Sequence, residues 1–220
     1  MSTFGLALRF VAFEGVLILI LFGSAGRIDL PWFWAVIAIH SFLLLYGLSA
    51  IDPDLRKERF HPGKGGIDRN LRFLAMPMIQ LHLVIAGLDM GRYQWSPPLP
   101  LWAHLLGLLI YTLGSGCSFW AMGVNRFFSP VVRIQSERGH HLITDGPYRF
   151  VRHPGYTGIL IGLFGEGLAL GSLWSLAPLV PCLVLFFRRV ILEDHFLHEH
   201  LEGYPAYAAR VRYRLLPGVW

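Results

Sequence analysis

The stretch TGILIGLFGEGLALGSLWSLAPLVPCLVLFF, residues Thr157–Phe187, is the part of the sequence that decides the fold. A membrane-crossing helix needs about 20 mostly apolar residues, so this stretch is longer than one crossing requires and too short for two full ones. The Gly-Ser pair at 171–172 interrupts it, and Pro178 and Pro181 follow. We therefore predict a hairpin of two short helices that breaks near Leu170–Leu173. The alternative is one long, kinked span.

The chain as a whole has the composition of a membrane protein. Of its 220 residues, 54% are hydrophobic and only 15% are charged, whereas about a quarter are charged in soluble domains. Gly158 and Gly162 in the hairpin form a small-residue face that allows close helix packing. The other predicted spans are Leu8–Phe22, Trp32–Ala50, Leu71–Leu88 and Leu101–Met122. Together with the hairpin they predict an all-α integral membrane protein with about six transmembrane segments.

Basic residues are concentrated in alternate loops. Ile51–Asn70 contains five of them, and Asn125–Gly155 contains another five. Cytoplasmic loops carry an excess of Lys and Arg, so both loops and both termini are predicted to be cytoplasmic. Only the hairpin places the basic residues after Phe187 on that same side, which favours six segments over five.

The sequence becomes polar after Phe187. In RRVILEDHFLHEHLEG, residues Arg188–Gly203, apolar residues recur at helical spacing. This predicts a helix that lies against the membrane surface or the protein. Pro205 can open a second short helix, because proline loses no hydrogen bond at the first helical position. We expect that helix to end near Pro217, and together the two form a cytoplasmic helical tail.

A polar junction, DGPYRFVRHPGYTG, residues Asp145–Gly158, precedes the hairpin. Pro154 turns the preceding residue away from helix and can itself open the next helix. His153 then lies at a helix N-terminus, where free N–H groups and the helix dipole favour an anion such as a carboxylate or a phosphate. The alternative is that Arg149, Arg152 and the tyrosines only anchor the chain at the membrane interface.

Ionisable residues within and after the apolar stretches are further candidates. Arg189 and Glu193 are four residues apart and share a helix face, and Glu193 forms an acid pair with Asp194. The alternative for Arg189 and Glu193 is an ordinary helix salt bridge. Glu166 lies in an apolar span, where an ionisable group is costly and usually faces protein or water. Glu14, in the first span, is a similar but weaker case.

Metal chemistry finds little support in the sequence. His140, His141 and His153 could be imagined around a metal with the histidines of HFLHEH, residues 195–200. That segment lacks the i, i+4 histidine pair of helical zinc motifs, and we predict no metal. The two cysteines, Cys117 and Cys182, lie in apolar segments without metal spacing and are interpreted as packing residues.

Three stretches together resemble the isoprenylcysteine carboxyl methyltransferases and, more broadly, the phospholipid N-methyltransferases. They are QSERGHHLITDGPYRFVRHPGYTG (Gln135–Gly158), RRVILED (Arg188–Asp194) and GYPAYAARVRYRLLPG (Gly203–Gly218). The resemblance covers roughly Asn125–Trp220. It implies an integral membrane enzyme that transfers a methyl group from S-adenosylmethionine to a lipophilic or prenylated carboxylate. The chain then divides into four transmembrane helices, residues 1–122, and a catalytic region, residues 123–220.

The resemblance also implies site residues. Arg189 matches a family arginine that orients the substrate carboxylate, and with Glu193 it is expected to be catalytic. Contacts with S-adenosylmethionine are implied for Gln135, His140, Leu142, Ile143, Tyr148, His153, Pro154, Gly155, Tyr156, Glu193 and Asp194. A carboxylate nucleophile needs no proton removed, so a Ser-His-Asp arrangement is not required. An arginine can hold such a carboxylate by forked hydrogen bonds.

Other functions remain open on the sequence. An amine-methylating lipid enzyme would not need Arg189. Membrane sterol reductases carry a similar Arg-His-Pro-x-Tyr stretch and use a nicotinamide cofactor, but they usually have asparagine where this chain has Gly155. A transporter would be expected to show inverted repeats, and we find none in the sequence. The net charge of +5 is accounted for by cytoplasmic arginines, so membrane lipid rather than nucleic acid is the expected partner.

Overall fold

The described part of the chain, residues 3–220 of a computed structural model, is built from α-helices and short turns; its side chains are described from Gly5 onward, except at position 48. The α-helices are α1 (Thr3–Ala25), α2 (Pro31–Ala50), α3 (Pro53–Phe60), α4 (Leu71–Gly87), α5 (Leu101–Val124), α6 (Pro154–Leu170), α7 (Leu179–His200) and α8 (Tyr204–Arg210). A π-helical turn extends α4 over Leu88–Tyr93. The predicted all-α fold class is confirmed.

Several of these helices are suited to a membrane. Within residues 3–220, the stretches long and apolar enough to cross one are Gly5–Ala25, Leu71–Tyr93, Leu101–Val124 and Trp174–His200. Pro31–Gly47 is a shorter apolar stretch, and α6 has 17 residues. Large apolar side chains such as Phe42, Leu113 and Val184 are exposed along these helices, and apolar surface of this extent requires a non-aqueous surrounding. The chain is a multi-pass membrane protein.

The hairpin breaks where the sequence predicts. Gly171 ends α6 with a φ of +88°, a left-handed conformation that favours glycine. A short 3₁₀ turn, Trp174–Leu176, then leads into α7. Asp89 stabilises the connection between α6 and α7. Its buried carboxylate accepts hydrogen bonds from Ser96 Oγ at 2.5 Å and from Ser172 Oγ, in that connection, at 2.6 Å. The end of α4 and the hairpin turn are thus tied together.

Helices α5 and α6 pack with their backbones in contact. A Cβ atom added at Gly158 would lie 2.5 Å from the carbonyl oxygen of Gly114 and 2.5 Å from the backbone nitrogen of Ser118. A Cβ atom at Gly162 would lie 2.9 Å from Ser115 Oγ. The predicted small-residue face is therefore confirmed. It fixes the beginning of α6, and with it the junction, against the end of α5.

The chain after the hairpin differs from the prediction in two respects. The polar stretch after Phe187 is not a separate helix, because α7 continues without a break to His200; no Gly or Pro interrupts residues 182–200. The next helix, α8, ends at Arg210 rather than near Pro217. The backbone leaves the helical conformation at Val211, whose carbonyl accepts a hydrogen bond from Arg152 of the junction at 2.8 Å.

Candidate functional site

The junction is held in place by the segment that follows α8. The backbone N–H of Arg152 donates to the carbonyl of Tyr213 at 3.0 Å, and that of His153 donates to the carbonyl of Arg214 at 2.9 Å. Thr157 Oγ1 donates to the carbonyl of a third residue in that segment, Leu215, at 2.8 Å. His153 is the N-cap of α6, as predicted. Two parts of the chain about 60 residues apart therefore form one unit.

Asp194 is the centre of this unit. Its buried carboxylate accepts two hydrogen bonds from Arg152, at 2.7 and 3.0 Å, and one from the Tyr204 hydroxyl at 2.8 Å. Arg214 Nε donates at 2.9 Å, and His153 Nε2 lies 3.3 Å away. Asp194 is thus surrounded by partners from the junction, from α8 and from the segment that follows α8. It does not line the cleft described below.

Glu193, the neighbouring acid, faces the opposite way and remains accessible, with 23% of its side chain exposed. It accepts a hydrogen bond from the Tyr156 hydroxyl at 2.7 Å, and Arg189 Nε lies 3.3 Å from the same carboxylate oxygen. Arg189 Nε also donates to the Tyr156 hydroxyl at 3.1 Å. The acid pair is therefore split between a structural member, Asp194, and a member that faces the cleft.

Arg189 is bound on its other side as well. Its side chain is 1% exposed, and Nη1 lies 2.9 Å from the carbonyl and 3.3 Å from the carboxylate of Asp68. Asp68 itself has a φ of +53° in the loop before α4. The predicted helix salt bridge between Arg189 and Glu193 is present. The charge of Arg189 is therefore already shared between two carboxylates of the protein.

A cleft opens between the junction, α7 and α8, and we call it the junction cleft. Its empty space is about 700 Å³, open solvent included. Asn125, Phe127, Phe128 and Arg152 contribute to its walls. Of the residues that the resemblance implies for the cofactor, it brings together His140, Leu142, Ile143, Tyr148, His153, Tyr156 and Glu193.

The remaining implied cofactor residues support the cleft from behind. Gln135 is fully buried; its side-chain amide donates to the Phe127 carbonyl at 2.7 Å and accepts from Arg138. Pro154 is buried at the first position of α6. The Phe128 ring covers Gly155 so closely that a Cβ atom there would clash with it. These three residues and Asp194 are not among the side chains that line the cleft.

One histidine of the cleft wall, His140, is uncharged near neutral pH. Burial, together with the neighbouring His141, lowers the pKa of His140 to about 4. The His140 ring stacks on Phe127, with 4.5 Å between ring centroids. Its Nδ1 lies 3.2 Å from the backbone N–H of Gln135 and accepts that hydrogen bond. Nδ1 therefore carries no proton, and Nε2–H remains as a donor.

A second ion-pair cluster joins the loop after α5 to α3. Arg133 donates to both carboxylate oxygens of Glu58, at 3.0 and 2.8 Å, and to Glu137 at 2.6 Å. Hydrogen bonds from Arg133 and Ser129 outweigh the opposing effect of burial and lower the pKa of Glu58. The sequence alone does not predict the pairing of Arg133 with Glu58. The available signal is a single acid, Glu58, in an otherwise basic segment of the loop.

The other sequence candidates lie apart from the cleft. Arg149 is exposed and pairs with Asp145 at 2.9 Å, so of the two ambiguous arginines only Arg152 reaches the cleft. Glu166 is buried in α6, with Oε2 3.8 Å from His82 Nε2, and Glu14 accepts from His40 at 2.8 Å. No group of three or more His, Cys, Asp or Glu in the described residues could hold a metal ion.

Comparison with known proteins shows which families this chain is similar to. Residues 102–203, from α5 to the start of α8, match the family model described as phospholipid methyltransferase. The chain is 40% identical to a probable protein-S-isoprenylcysteine O-methyltransferase of Oryza sativa subsp. indica, over 39% of this chain and 46% of that protein. It is 32% identical to protein-S-isoprenylcysteine O-methyltransferase B of Arabidopsis thaliana, over 50% and 57% respectively. It is also 31% identical to the cobalt-zinc-cadmium resistance protein CzcN of Cupriavidus metallidurans, over 58% and 56%.

These matches cover only part of each protein. The chain spans about half the length of the curated relatives it matches. The family match contains the whole junction, the hairpin and both members of the acid pair. The predicted resemblance to the isoprenylcysteine carboxyl methyltransferases and the phospholipid methyltransferases is therefore confirmed. Residues 102–203 of the family match include most of the residues that line the junction cleft.

Proposed function

We propose that this protein is a membrane methyltransferase that uses S-adenosylmethionine to methylate the carboxylate of a lipophilic or prenylated molecule. The junction cleft carries the proposal, because it gathers seven of the implied cofactor residues within the family match. It also lies beside helices with exposed apolar side chains. A polar cofactor can thus reach it from water, and a lipophilic acceptor can reach it from the bilayer.

The side chains in the cleft suit the parts of S-adenosylmethionine. Phe127 and Tyr148 offer aromatic faces for the adenine ring. The accessible carboxylate of Glu193 can accept hydrogen bonds from ribose hydroxyls. The His153 imidazole in the cleft wall can donate a hydrogen bond to the amino acid carboxylate. The residues present therefore fit this cofactor.

Methylation of a carboxylate requires the protein to bind and orient the reactants, and it requires no proton transfer. When bound, S-adenosylmethionine supplies an electrophilic methyl group: the acceptor oxygen bonds the methyl carbon as the carbon–sulfur bond breaks, giving an ester and a thioether. The chain must hold the acceptor in line and exclude water. Tyr156, fixed by Arg189 and Glu193, provides a rigid wall for this. We assign Arg189 this positioning role; direct contact with the acceptor carboxylate, which the resemblance implies, would have to displace Asp68 or Glu193.

Cofactor binding tests the proposal directly. Isothermal titration of the detergent-purified protein with S-adenosylmethionine should give one binding site for the wild type. Glu193→Gln keeps the size of the side chain but removes its charge, and we expect about tenfold weaker binding or more, since hydrogen bonds to charged groups contribute about 1.5–3 kcal/mol. His153→Ala should also weaken binding.

Glu199→Gln is the matched control. It makes the same change in the same helix, at an exposed residue that pairs only with His195 and His200 in the described structure. This variant should bind the cofactor as the wild type does. If Glu193→Gln and His153→Ala both bind with wild-type affinity, the cofactor lies elsewhere. If the wild type does not bind it at all, the methyltransferase assignment is wrong.

We further propose that six helices cross the membrane and that the junction cleft and both termini face the cytoplasm. The basic loops at Ile51–Asn70 and Asn125–Gly155 support this orientation. The test is labelling of single introduced cysteines in a variant free of Cys117 and Cys182. Position 138 should react only after the membrane is permeabilised, whereas position 97 should react in intact cells. The reverse pattern would invert the topology.

Methylation of a lipid amine is a second candidate, and the description of the matching family model favours it. The two candidates differ in the charge of the acceptor group. Incubation with a farnesylated cysteine carboxylate and, separately, with phosphatidylethanolamine vesicles separates them by the product formed. Methyl ester formation supports the leading proposal, and N-methylated lipid alone would replace it with the second.

A further inference from the structure

A second cavity lies on the other side of Phe128 from the junction cleft, and we call it the interior cavity. It is lined by residues of α1, α2, α3, α4, α5 and α6, and its empty space is about 910 Å³, open solvent included. Its lining is mostly apolar, with Leu83 and Leu163 among the contributors. Along α5 it extends from Met122 to Tyr111, which is about 16 Å at the rise of an α-helix. The shape suits an elongated apolar molecule.

The interior cavity and the junction cleft share one wall. The Phe128 side chain lines both. Its ring lies 5.9 Å from the ring of Tyr156, the residue whose hydroxyl contacts Glu193. A molecule that fills the interior cavity therefore ends next to the wall of the proposed cofactor site. Phe128 is the residue that the linings of the two spaces have in common.

Arg59 lies at this shared end of the interior cavity. Its guanidinium carbon is 5.5 Å from the centre of the Phe128 ring, and its Nη1 is 3.4 Å from the Phe128 carbonyl. Within residues 3–220 no carboxylate lies within ion-pair distance of Arg59. An arginine side chain has five N–H donors, so most of them are available to an added anion. The side chain is only partly exposed, which strengthens any ion pair formed there.

Arg59 is better placed than Arg189 to bind the carboxylate of an added molecule. Arg189 already contacts the carboxylates of Asp68 and Glu193, and a third carboxylate would have to displace one of them. Arg59 meets no such competition. Two other ionisable side chains of the cavity provide no unpaired positive charge: His40 pairs with Glu14, and Glu166 is an acid twelve residues into α6, about 18 Å from its start. Tyr111, Ser115 and Ser118 also line the cavity, but they contribute uncharged hydroxyl groups.

We propose that the interior cavity binds the apolar body of the methyl acceptor and that Arg59 binds its carboxylate. This rests on the proposed function, and it assigns to Arg59 the contact with the acceptor carboxylate that the resemblance implies for Arg189. The acceptor enters carboxylate-first toward Phe128 with its apolar chain along α5. The proposal requires an acceptor with one terminal anionic group and no charge near Glu166.

Equilibrium binding without the cofactor tests this. The probes are N-acetyl-S-farnesylcysteine and its uncharged carboxamide, titrated against the detergent-purified protein by microscale thermophoresis. The wild type should bind the acid about 10- to 100-fold more tightly than the amide, as expected for charge-assisted hydrogen bonds. Arg59→Gln should lose this preference while binding the amide as before, and Arg59→Lys should recover part of it. Lys57→Gln, the same loss of charge at an exposed position of α3, should change nothing.

A second pair of variants tests the cavity itself. Leu163→Trp places a larger side chain in the interior cavity, whereas Leu113→Trp makes the same change at a residue that is 63% exposed. Only Leu163→Trp should weaken both probes. Wild-type discrimination in Arg59→Gln, or unaltered probe binding in Leu163→Trp, would overturn the inference. S-adenosylmethionine titrations of the same variants distinguish this inference from the proposed function. If the cofactor binds normally but binding of the acid does not depend on Arg59, the inference is wrong and the methyltransferase assignment is unaffected.

Discussion

Replacement of Asp194 by asparagine tests how the junction, α7 and the segment after α8 are held together. The substitution keeps the shape of the side chain but removes its charge and turns one acceptor into a donor. Arg152, which donates two hydrogen bonds to Asp194, is then left buried without a counter-charge. Removal of one partner of a buried ion pair costs about 3–5 kcal/mol. For a chain of this size each kcal/mol lowers the melting temperature by about 2–4 °C, so a decrease of roughly 10 °C is expected.

The assay is thermal unfolding in one detergent, followed by near-ultraviolet circular dichroism. Asp145→Asn is the matched control, because Asp145 pairs with Arg149 at a site where its side chain is 73% exposed. An exposed pair of this kind contributes about 0–1 kcal/mol, so the control should melt within a few degrees of the wild type. Equal melting temperatures for Asp194→Asn and Asp145→Asn would refute the role of Asp194 as the centre of the unit.

A double substitution separates the lost charge from lost packing. If the cost arises from the uncompensated charge of Arg152, then Arg152→Met together with Asp194→Asn should cost less than the sum of the two single substitutions. The expected coupling is about 1–3 kcal/mol, the usual range for residues in direct contact. Strict additivity would show that Asp194 acts mainly through Tyr204 and Arg214.

The remaining predictions concern helix packing and pH. Gly158→Ala places a methyl group 2.5 Å from the Gly114 carbonyl oxygen, so it should lower the melting temperature more than Gly116→Ala, where nothing lies within 4 Å; equal effects would contradict the α5–α6 contact. The pKa of His140 is about 4 in the fold against 6.5 ordinarily, so the unfolded chain binds the extra proton and stability falls as the pH drops from 6.5 toward 4. Allowing for partial exposure, the loss is about 1–2 kcal/mol. His140→Gln should flatten the melting temperature over that range, and an unchanged slope would show that His140 is not the group responsible.

The apolar helices are predictable from sequence because their signal is local. A long run without charge, such as Tyr93–Asn125, has few alternatives to a helix in a membrane. The hairpin break is equally local, since Gly171 is the kind of residue that a left-handed cap requires. The glycine spacing at Gly158 and Gly162 also predicts close packing, although it does not identify α5 as the partner helix.

The site is harder to predict because its contacts are distant in sequence. Nothing near Arg189 indicates that Asp68, 121 positions away, occupies its guanidinium. The acid pair Glu193–Asp194 does not reveal which carboxylate faces inward, because that depends on how α7 is rotated against the junction. The continuous course of α7 is hard to predict for a related reason, since a change from apolar to polar composition does not by itself end a helix.

The hydrogen bonds from the junction to Tyr213 and Arg214 have a consequence for biosynthesis. Arg152 and His153 leave the ribosome about 60 residues before the carbonyl groups that they bind. During that interval α6 and α7 can enter the bilayer, but Asp194 and the junction still lack Arg214. The nascent chain can therefore reach the bilayer before the junction has its full set of hydrogen bonds. A stalled or prematurely terminated product that ends before residue 213 would lack the contacts that hold the junction.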